Sequence, residues 1–203
     1  MCVAIQELGY SCSGIEPYEP AIEVAKELAA KYKVGINIEK GFAEDIPKGS
    51  STFDLVIALS VLEHVEDVKT VFSEVMRILK PQGVFYFDTA SSLCLHQDEI
   101  RFFPFFSWYP QQLKIRIMDW AVKNRPSLVG NTTPAINWFT PWSAKRLLKE
   151  SGFIKVYDRW DIINEAPYGP FKKIVLRVIK SSSVTKFLAD LLVPGCGYLA
   201  IKN

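Results

Sequence analysis

Phe53-Asp54-Leu55-Val56-Ile57-Ala58-Leu59-Ser60-Val61-Leu62-Glu63-His64-Val65 is the stretch on which the fold turns. Leu55 to Leu59 is a run of β-prone apolar residues, and it predicts a strand covered on both faces, as in a parallel sheet. The run ends at Ser60, and just beyond it Glu63 and His64 set a carboxylate beside an imidazole. Ligands of open α/β sheets sit outside the carboxyl ends of the strands. Polar groups just past a buried strand are therefore candidates for a site.

Working upstream, Val3, Ala4, Ile5 and Leu8 have helical spacing, and Gly9 can close that helix. Ser11 to Glu16 reads as a short strand ending on an acid. Pro17 and Pro20 then lead into a helix whose Ile22, Ala25, Leu28, Ala29 and Tyr32 form a buried stripe. A strand at Ile36 to Glu39 and a polar loop from Gly41 to Ser51 complete the approach. Downstream, Val65, Val68, Phe72, Val75, Met76 and Leu79 mark an amphipathic helix that Pro81 and Gly83 should stop, before a short strand from Val84 to Asp88. The order α-β-α-β-β-α-β argues for an α/β fold with a doubly wound, mostly parallel sheet.

Regular alternation lapses from Ala90 to Asn137, a stretch rich in Phe and Trp with one helix predicted near Gln111 to Val122. So long an interruption usually means a functional lid or an inserted subdomain. Alternation resumes with a helix starting at Thr140 or Ser143 and ended by Gly152, then a strand over Phe153 to Trp160. Phe171 to Leu192 reads as helical with a weak point at Ser181-Ser182-Ser183, and Tyr198 to Lys202 as a final strand.

Composition narrows the function classes. Of 203 residues, 49% are apolar and 23% charged, which suits one globular domain with a sizeable core. A net charge of +2 gives no electrostatic case for nucleic acid, and no nucleic-acid motif is present. No apolar run is long enough for a membrane span, and the N-terminus lacks a signal-peptide layout. Cys2, Cys12, Cys94 and Cys196 have no CxxC spacing, so free thiols and a cytoplasmic setting are expected.

Each candidate residue has a functional and a plain reading. Glu16, at a strand's end, can accept hydrogen bonds from both ribose hydroxyls of an adenosyl or dinucleotide cofactor, or it can be a solvated turn residue before proline. Glu44 and Asp45 precede Ile46-Pro47 and alone read as a polar turn. Leu59 is core, a site backbone, or both. His64 can hydrogen-bond structurally, or act beside Glu63 as a general base or metal ligand.

The segment FDxVxxxxxLEHV resembles the fourth strand and following loop of class I S-adenosylmethionine-dependent methyltransferases. Leu8-Gly9-Tyr10 followed by Gly14-Ile15-Glu16-Pro17 looks like their second strand. Leu62-Glu63-His64-Val65-Glu66-Asp67, Leu79-Lys80-Pro81-Gln82-Gly83, Phe139-Thr140-Pro141 and Glu150-Ser151-Gly152-Phe153 are similar in order and spacing to the ubiquinone-pathway O-methyltransferases. The resemblance runs over 1–203 as a single methyltransferase-like domain, with 90–137 as its lid. It implies a Rossmann-like sheet, S-adenosyl-L-methionine as cofactor and a small, apolar or aromatic acceptor. It assigns Glu16 to the ribose, Phe42, Ala43, Glu44 and Asp45 to the adenine, and Leu59 and Ser60 to the methionine end. His64 becomes the base, with Glu63 orienting it.

Two departures qualify the match. The family's first strand and glycine loop precede the helix with which these residues begin, so an N-terminally truncated domain is expected, with a seam beside Ser11 to Glu16 and weak cofactor binding by residues 1–203 alone. Ser60 stands where the ubiquinone-pathway enzymes carry an acid that joins the Glu-His pair on a divalent ion, so the ligand set is incomplete and no metal is implied. A rival reading is a non-catalytic methyltransferase-like protein that binds a partner through the seam. A nicotinamide-dependent oxidoreductase shares the acid at the second strand but explains neither LEHV nor LKPxG.

Overall fold

In the computed structural model, which describes residues 1–95, 100–129 and 135–203, the chain divides into two units, Met1–Gly49 and Ser50–Asn203. The expected lid, 90–137, therefore lies partly outside the described residues. The first unit contains helix α1 (Cys2–Glu7), strand β1 (Ser13–Glu16), helix α2 (Glu19–Tyr32) and strand β2 (Asn37–Lys40). Pro20 sits in the first turn of α2, where a missing N–H costs nothing, and Lys33 ends the helix with a left-handed backbone at φ 56°. β1 and β2 pair in parallel, Ser13 opposite Asn37 and Glu16 opposite Lys40. Ile22 and Ala29 of α2 are buried, but Leu28 and Tyr32 are exposed, against the expected stripe. A two-stranded sheet is too narrow to cover the whole apolar arc of a helix.

In the second unit, strands β3 (Phe53–Leu59), β4 (Leu79–Ala90), β5 (Phe153–Asp158) and β6 (Gly195–Lys202) form one sheet in the order β3-β4-β6-β5. β3 and β4 are parallel, while β6 runs antiparallel to both neighbours. The remaining helices are α3 (Val68–Ile78), α4 (Gln111–Asn124), α5 (Pro141–Glu150), α6 (Arg159–Ile162), α7 (Pro170–Lys180) and α8 (Ser183–Asp190). Asp67 caps α3 by accepting the amides of Lys69 and Thr70 and the Thr70 hydroxyl, bonds that hold its carboxyl below the usual range. Val71, Phe72, Val75 and Ile78 form the buried stripe of α3. Phe72 lies fully buried against Phe85 and Phe87 of β4, at centroid distances of 5.8 and 5.7 Å.

Several local expectations give way. Pro81 and Gly83 do not stop α3; the chain passes straight from Ile78 into β4, because Leu79 is fully buried and pairs with Phe53. Pro81-Gln82-Gly83 lies where the ladder slips register between Phe53 and Leu55, with Gln82 at φ 60°. A Cβ on Gly83 would lie 2.8 Å from the Lys80 carbonyl oxygen, so glycine is required there. β3 is not covered on both faces: Leu55 is 51% and Leu59 42% exposed. Among the described residues β3 pairs only with β4, which makes it an edge strand. β5 stops at Asp158, whose carboxylate caps α6 through a capping box with Asp161. The long helical stretch breaks at Ser181 and Ser182, and Ser182 caps α8.

The aromatic interruption makes its own small core. Phe106, Met118, Ala121, Ile100 and Val129 are buried together, with Phe103, Tyr109 and Trp138 packed on them. Lys114 is buried there, its Nζ donating to the Ser107 carbonyl at 2.9 Å and sitting 4.0 Å from the centre of the Trp138 ring. Phe102, Phe105 and Trp108 stay exposed.

Candidate functional site

The carboxyl ends of the strands carry the predicted residues, and each unit holds its own set. In the first unit Glu16 ends β1, half-buried, and its Oε1 accepts the Tyr18 amide at 3.0 Å, so the carboxylate also steadies the entry to α2. The Gly41 amide donates to the Glu16 carbonyl at 3.3 Å, which ties the start of the following loop to the end of β1. That loop is a tight turn closed by a bridge between Phe42 and Asp45, with the Asp45 amide 3.2 Å from the Phe42 carbonyl. Phe42 and Asp45 are exposed, Ala43 and Glu44 half-buried. The turn thus sets an apolar ring, small backbone groups and two carboxylates beside the strand-end acid.

In the second unit the strand-end geometry centres on Ser60. Its backbone is left-handed at φ 51°, which is uncommon outside glycine, asparagine and aspartate, and its amide donates to Asp88 Oδ1 at 2.7 Å. Asp88 lies directly opposite Leu59 in the ladder, so the carboxylate of one strand holds the turn that ends the other. Beyond the turn, consecutive residues part: Leu62, Glu63 and Val65 are buried while His64 is exposed. Glu63 takes the Thr89 hydroxyl on its Oε2 at 3.0 Å, so a side chain of β4 fixes this carboxylate.

A third element clamps the loop. The Glu63 carbonyl accepts the amides of Ile136 and Asn137 at 2.7 and 3.1 Å, and Asn137 Nδ2 donates to the carbonyls of Leu62 and Val65 at 3.1 and 2.7 Å. Asn137, Asp88 and Thr89 were not legible as site residues. Asp88 reads only as the end of a strand, Thr89 lies just past it, and Asn137 lies 72 residues from the Val65 carbonyl it holds, at the end of a stretch without periodicity. Replacing Asn137 by Ala is expected to cost about 1–3 kcal/mol by leaving these carbonyls unmatched. Urea denaturation and amide exchange over residues 62–65 check it; unchanged protection would show that the clamp is redundant.

Cys196 adjoins this loop's support, its Sγ 3.6 Å from the Thr89 carbonyl. Burial pushes its thiol up to about 12, so it stands as a neutral thiol and not as a nucleophile. Burial also raises the Tyr198 hydroxyl and the Asp190 carboxyl, the latter accepting Trp160 Nε1 at 2.7 Å. Among the described residues no three His, Cys, Asp or Glu side chains gather as a metal site would need.

Parallel strands with polar groups at their carboxyl ends, an acid ending β1 and a Glu-His loop after β3 belong to a Rossmann-like α/β architecture. Residues 1–87 match the family described as methyltransferase domain. The ubiquinone biosynthesis O-methyltransferase of Bartonella tribocorum is 30% identical over 89 residues, which is 44% of this chain and 36% of that protein. Its Coxiella burnetii counterpart is 29% identical over 86 residues, 42% of this chain and 37% of that one. The matched stretch thus spans little more than a third of these relatives. Among solved structures, an S-adenosylmethionine dependent methyltransferase from Mesorhizobium loti superposes with a TM-score of 0.57 at 20% identity, covering 95% of this chain and 80% of that one. The phosphoethanolamine N-methyltransferase 2 of Haemonchus contortus, in complex with S-adenosyl-L-methionine, gives 0.60 at 17% identity over 98% of this chain and 45% of that one. The family match covers 87 of the 203 residues, and the solved structures share the fold.

Proposed function

We propose that the chain transfers a methyl group from S-adenosylmethionine to a small, apolar or aromatic acceptor. The observation that carries this reading is the Ser60 turn, tied to Asp88 and followed by a buried Glu63 and an exposed His64 at the carboxyl end of β3. S-adenosylmethionine, when bound, supplies an electrophilic methyl on a sulfonium sulfur. In the first unit the donor set fits the adenosyl part. Glu16 offers a carboxylate, already oriented by the Tyr18 amide, to the ribose hydroxyls. Phe42 and Ala43 offer apolar contact to the adenine, and Glu44 and Asp45 accept from its amino group. In the second unit the left-handed turn at Ser60 ends β3.

His64 is the proton acceptor for the substrate's nucleophile, its exposed imidazole reachable by a small molecule. Glu63, fixed by Thr89, and Asn137 hold the loop that carries it. The rest of catalysis is positioning, which by itself accounts for a large part of the rate when two reactants are held in line. Residues 90–137 act as the lid, and its exposed Phe102, Phe105 and Trp108 supply the apolar contact that an aromatic acceptor needs. Its four free cysteines support a cytoplasmic setting; among the described residues no helix is long and apolar enough to cross a membrane.

A second reading, partner binding without catalysis, draws support from the exposed Leu55 and Leu59 of β3. Glu16→Ala separates the two. On the methyltransferase reading it should weaken S-adenosylmethionine binding about 10- to 150-fold, the cost of losing charge-assisted bonds to the ribose, with little change in single-turnover rate at saturating cofactor. Calorimetric titration beside that rate measures both. An unchanged dissociation constant would leave Glu16 as the turn residue that its bond to Tyr18 already makes it.

A further inference from the structure

Between β5 and β6 the short α6 is followed by two longer helices, α7 and α8. Leu176 of α7 is buried with Trp160 and Ala189, and Ile179 packs on them, which fixes the inward side of the helix. The opposite side is apolar as well: Phe171, Ile174 and Val178 are 77%, 59% and 55% exposed, and Val175 is exposed beside them. Their spacing of three and four puts them in one row along two turns. α8 adds exposed Val184 and Leu188, with exposed Leu192 just past its end. A surface helix that only closes a core has no use for a second apolar row.

The charges beside that row are of one sign. From Ala166 to Ala189 the sequence has five cations, Lys172, Lys173, Arg177, Lys180 and Lys186, and no acid. At 100° per residue Arg177 flanks the exposed row on one side and Lys172 on the other, while Lys173 and Lys180, both half-buried, lie nearer the inward side. Glu165 bridges Arg177 and Lys180, and Asp158 and Asp161 hold Lys186. Lys172 and Lys173 enter no ion pair among the described residues, Lys172 lying 5.8 Å over the Tyr168 ring.

We infer that α7, extended by α8, docks this chain on an anionic lipid bilayer, with Phe171, Ile174, Val175 and Val178 set into the headgroup boundary and Lys172 and Arg177, which flank them, toward the phosphates. A helix of 11 residues is far too short to span a bilayer but suits one lying in its surface. Lysine and arginine stems can follow the apolar surface while their heads stay in water. The one-signed charge is what selects an anionic surface over a neutral one.

Vesicle co-sedimentation with the 203-residue chain tests this. Binding is expected to vesicles of phosphatidylcholine with one-third phosphatidylglycerol, to be weak on phosphatidylcholine alone, and to fall in high salt. The pair Lys172→Glu/Lys173→Glu should lower partitioning about tenfold or more. Ile174→Ser/Val178→Ser should lower it by a similar factor through lost apolar contact. Lys172, Ile174 and Val178 are exposed and Lys173 is half-buried, so thermal midpoints should move little, and the charge pair keeps the test open if the serine pair misfolds. No partitioning, equal partitioning on both vesicles, or partitioning untouched by both pairs would overturn the inference. So would a concentration-dependent dimer, found by analytical ultracentrifugation and abolished by the serine pair, since that would make the row an interface between two copies.

Discussion

Phe72→Ala should destabilise the Ser50–Asn203 unit by about 3–5 kcal/mol, the range for truncating a buried aromatic to a methyl group. Phe72 is fully buried and is the side chain through which α3 meets the sheet. Its ring lies edge-on to Phe85 and tilted against Phe87. Those two stack at 5.0 Å, and the chain of rings runs on from Phe85 to Phe153 at 6.0 Å and from Phe87 to Tyr198 at 5.2 Å. One ring thus bonds α3 to β4, and through it to β5 and β6. Removing it leaves a cavity between two stiff elements that cannot close on it. A domain's whole stability is about 5–15 kcal/mol, so the loss is a large fraction of the total. All five tryptophans belong to this unit, and their fluorescence in urea reads it directly. Phe72→Leu, which restores most of the volume, should cost less than half as much. A Phe72→Ala midpoint within experimental error of the parent would mean that α3 docks by other contacts.

That ring chain explains why the element order was legible. Val71, Phe72, Val75 and Ile78 recur at helical spacing, and Phe85 and Phe87 alternate on a strand, so period alone separated α3 from β4. The boundary between them was not legible. Pro81 and Gly83 carry the signals that end helices, but Leu79 had already entered the ladder opposite Phe53, and the two breakers serve a bulge. Local signals say that a chain must bend; they do not say which hydrogen bonds it has already made. Burial on β3 failed for a related reason. Leu55 and Leu59 are apolar enough for a strand covered on both faces, yet coverage belongs to the neighbours, and no residue of β3 encodes them.

The site divides along the same line. Glu16, Glu63 and His64 stand at ends of strands, where position carries meaning before any contact is known. Their partners do not. Asp88 has no mark beyond ending a strand, and Thr89 is one more β-branched residue; each matters because the β3–β4 register puts it opposite the Ser60 turn or beneath Glu63. Asn137 holds the Glu63 loop from the far end of the aromatic stretch, a closure that no short-range pattern signals. The paired letters Glu63-His64 suggested one unit of function, but a loop residue and its neighbour face different ways. Glu63 turns inward to Thr89 and His64 outward to solvent, so the carboxylate positions the backbone that presents the imidazole.

His64→Asn should therefore lower methyl transfer to a phenolic acceptor by about 10²–10⁴-fold, the usual worth of a positioned general base. A phenol is a weak nucleophile until its proton leaves, and on this loop the exposed imidazole is the group placed to take it. Asn keeps a hydrogen-bonding side chain of similar reach but cannot accept a proton, so loop geometry survives and proton transfer does not. Cofactor affinity should be unchanged, since His64 has no assigned contact with S-adenosylmethionine. Acceptors of graded acidity supply a readout that a structural role would not move. The defect should shrink for a phenol that reaches the enzyme already ionised, because that acceptor needs no base. Thr89→Val, which frees the Glu63 carboxylate from its hydroxyl partner, should reduce the rate by a smaller factor, because the base is still present and only its support has loosened. Equal turnover by His64→Asn and the parent with every acceptor would remove the imidazole from the chemistry and leave His64 as an exposed residue of a structural loop.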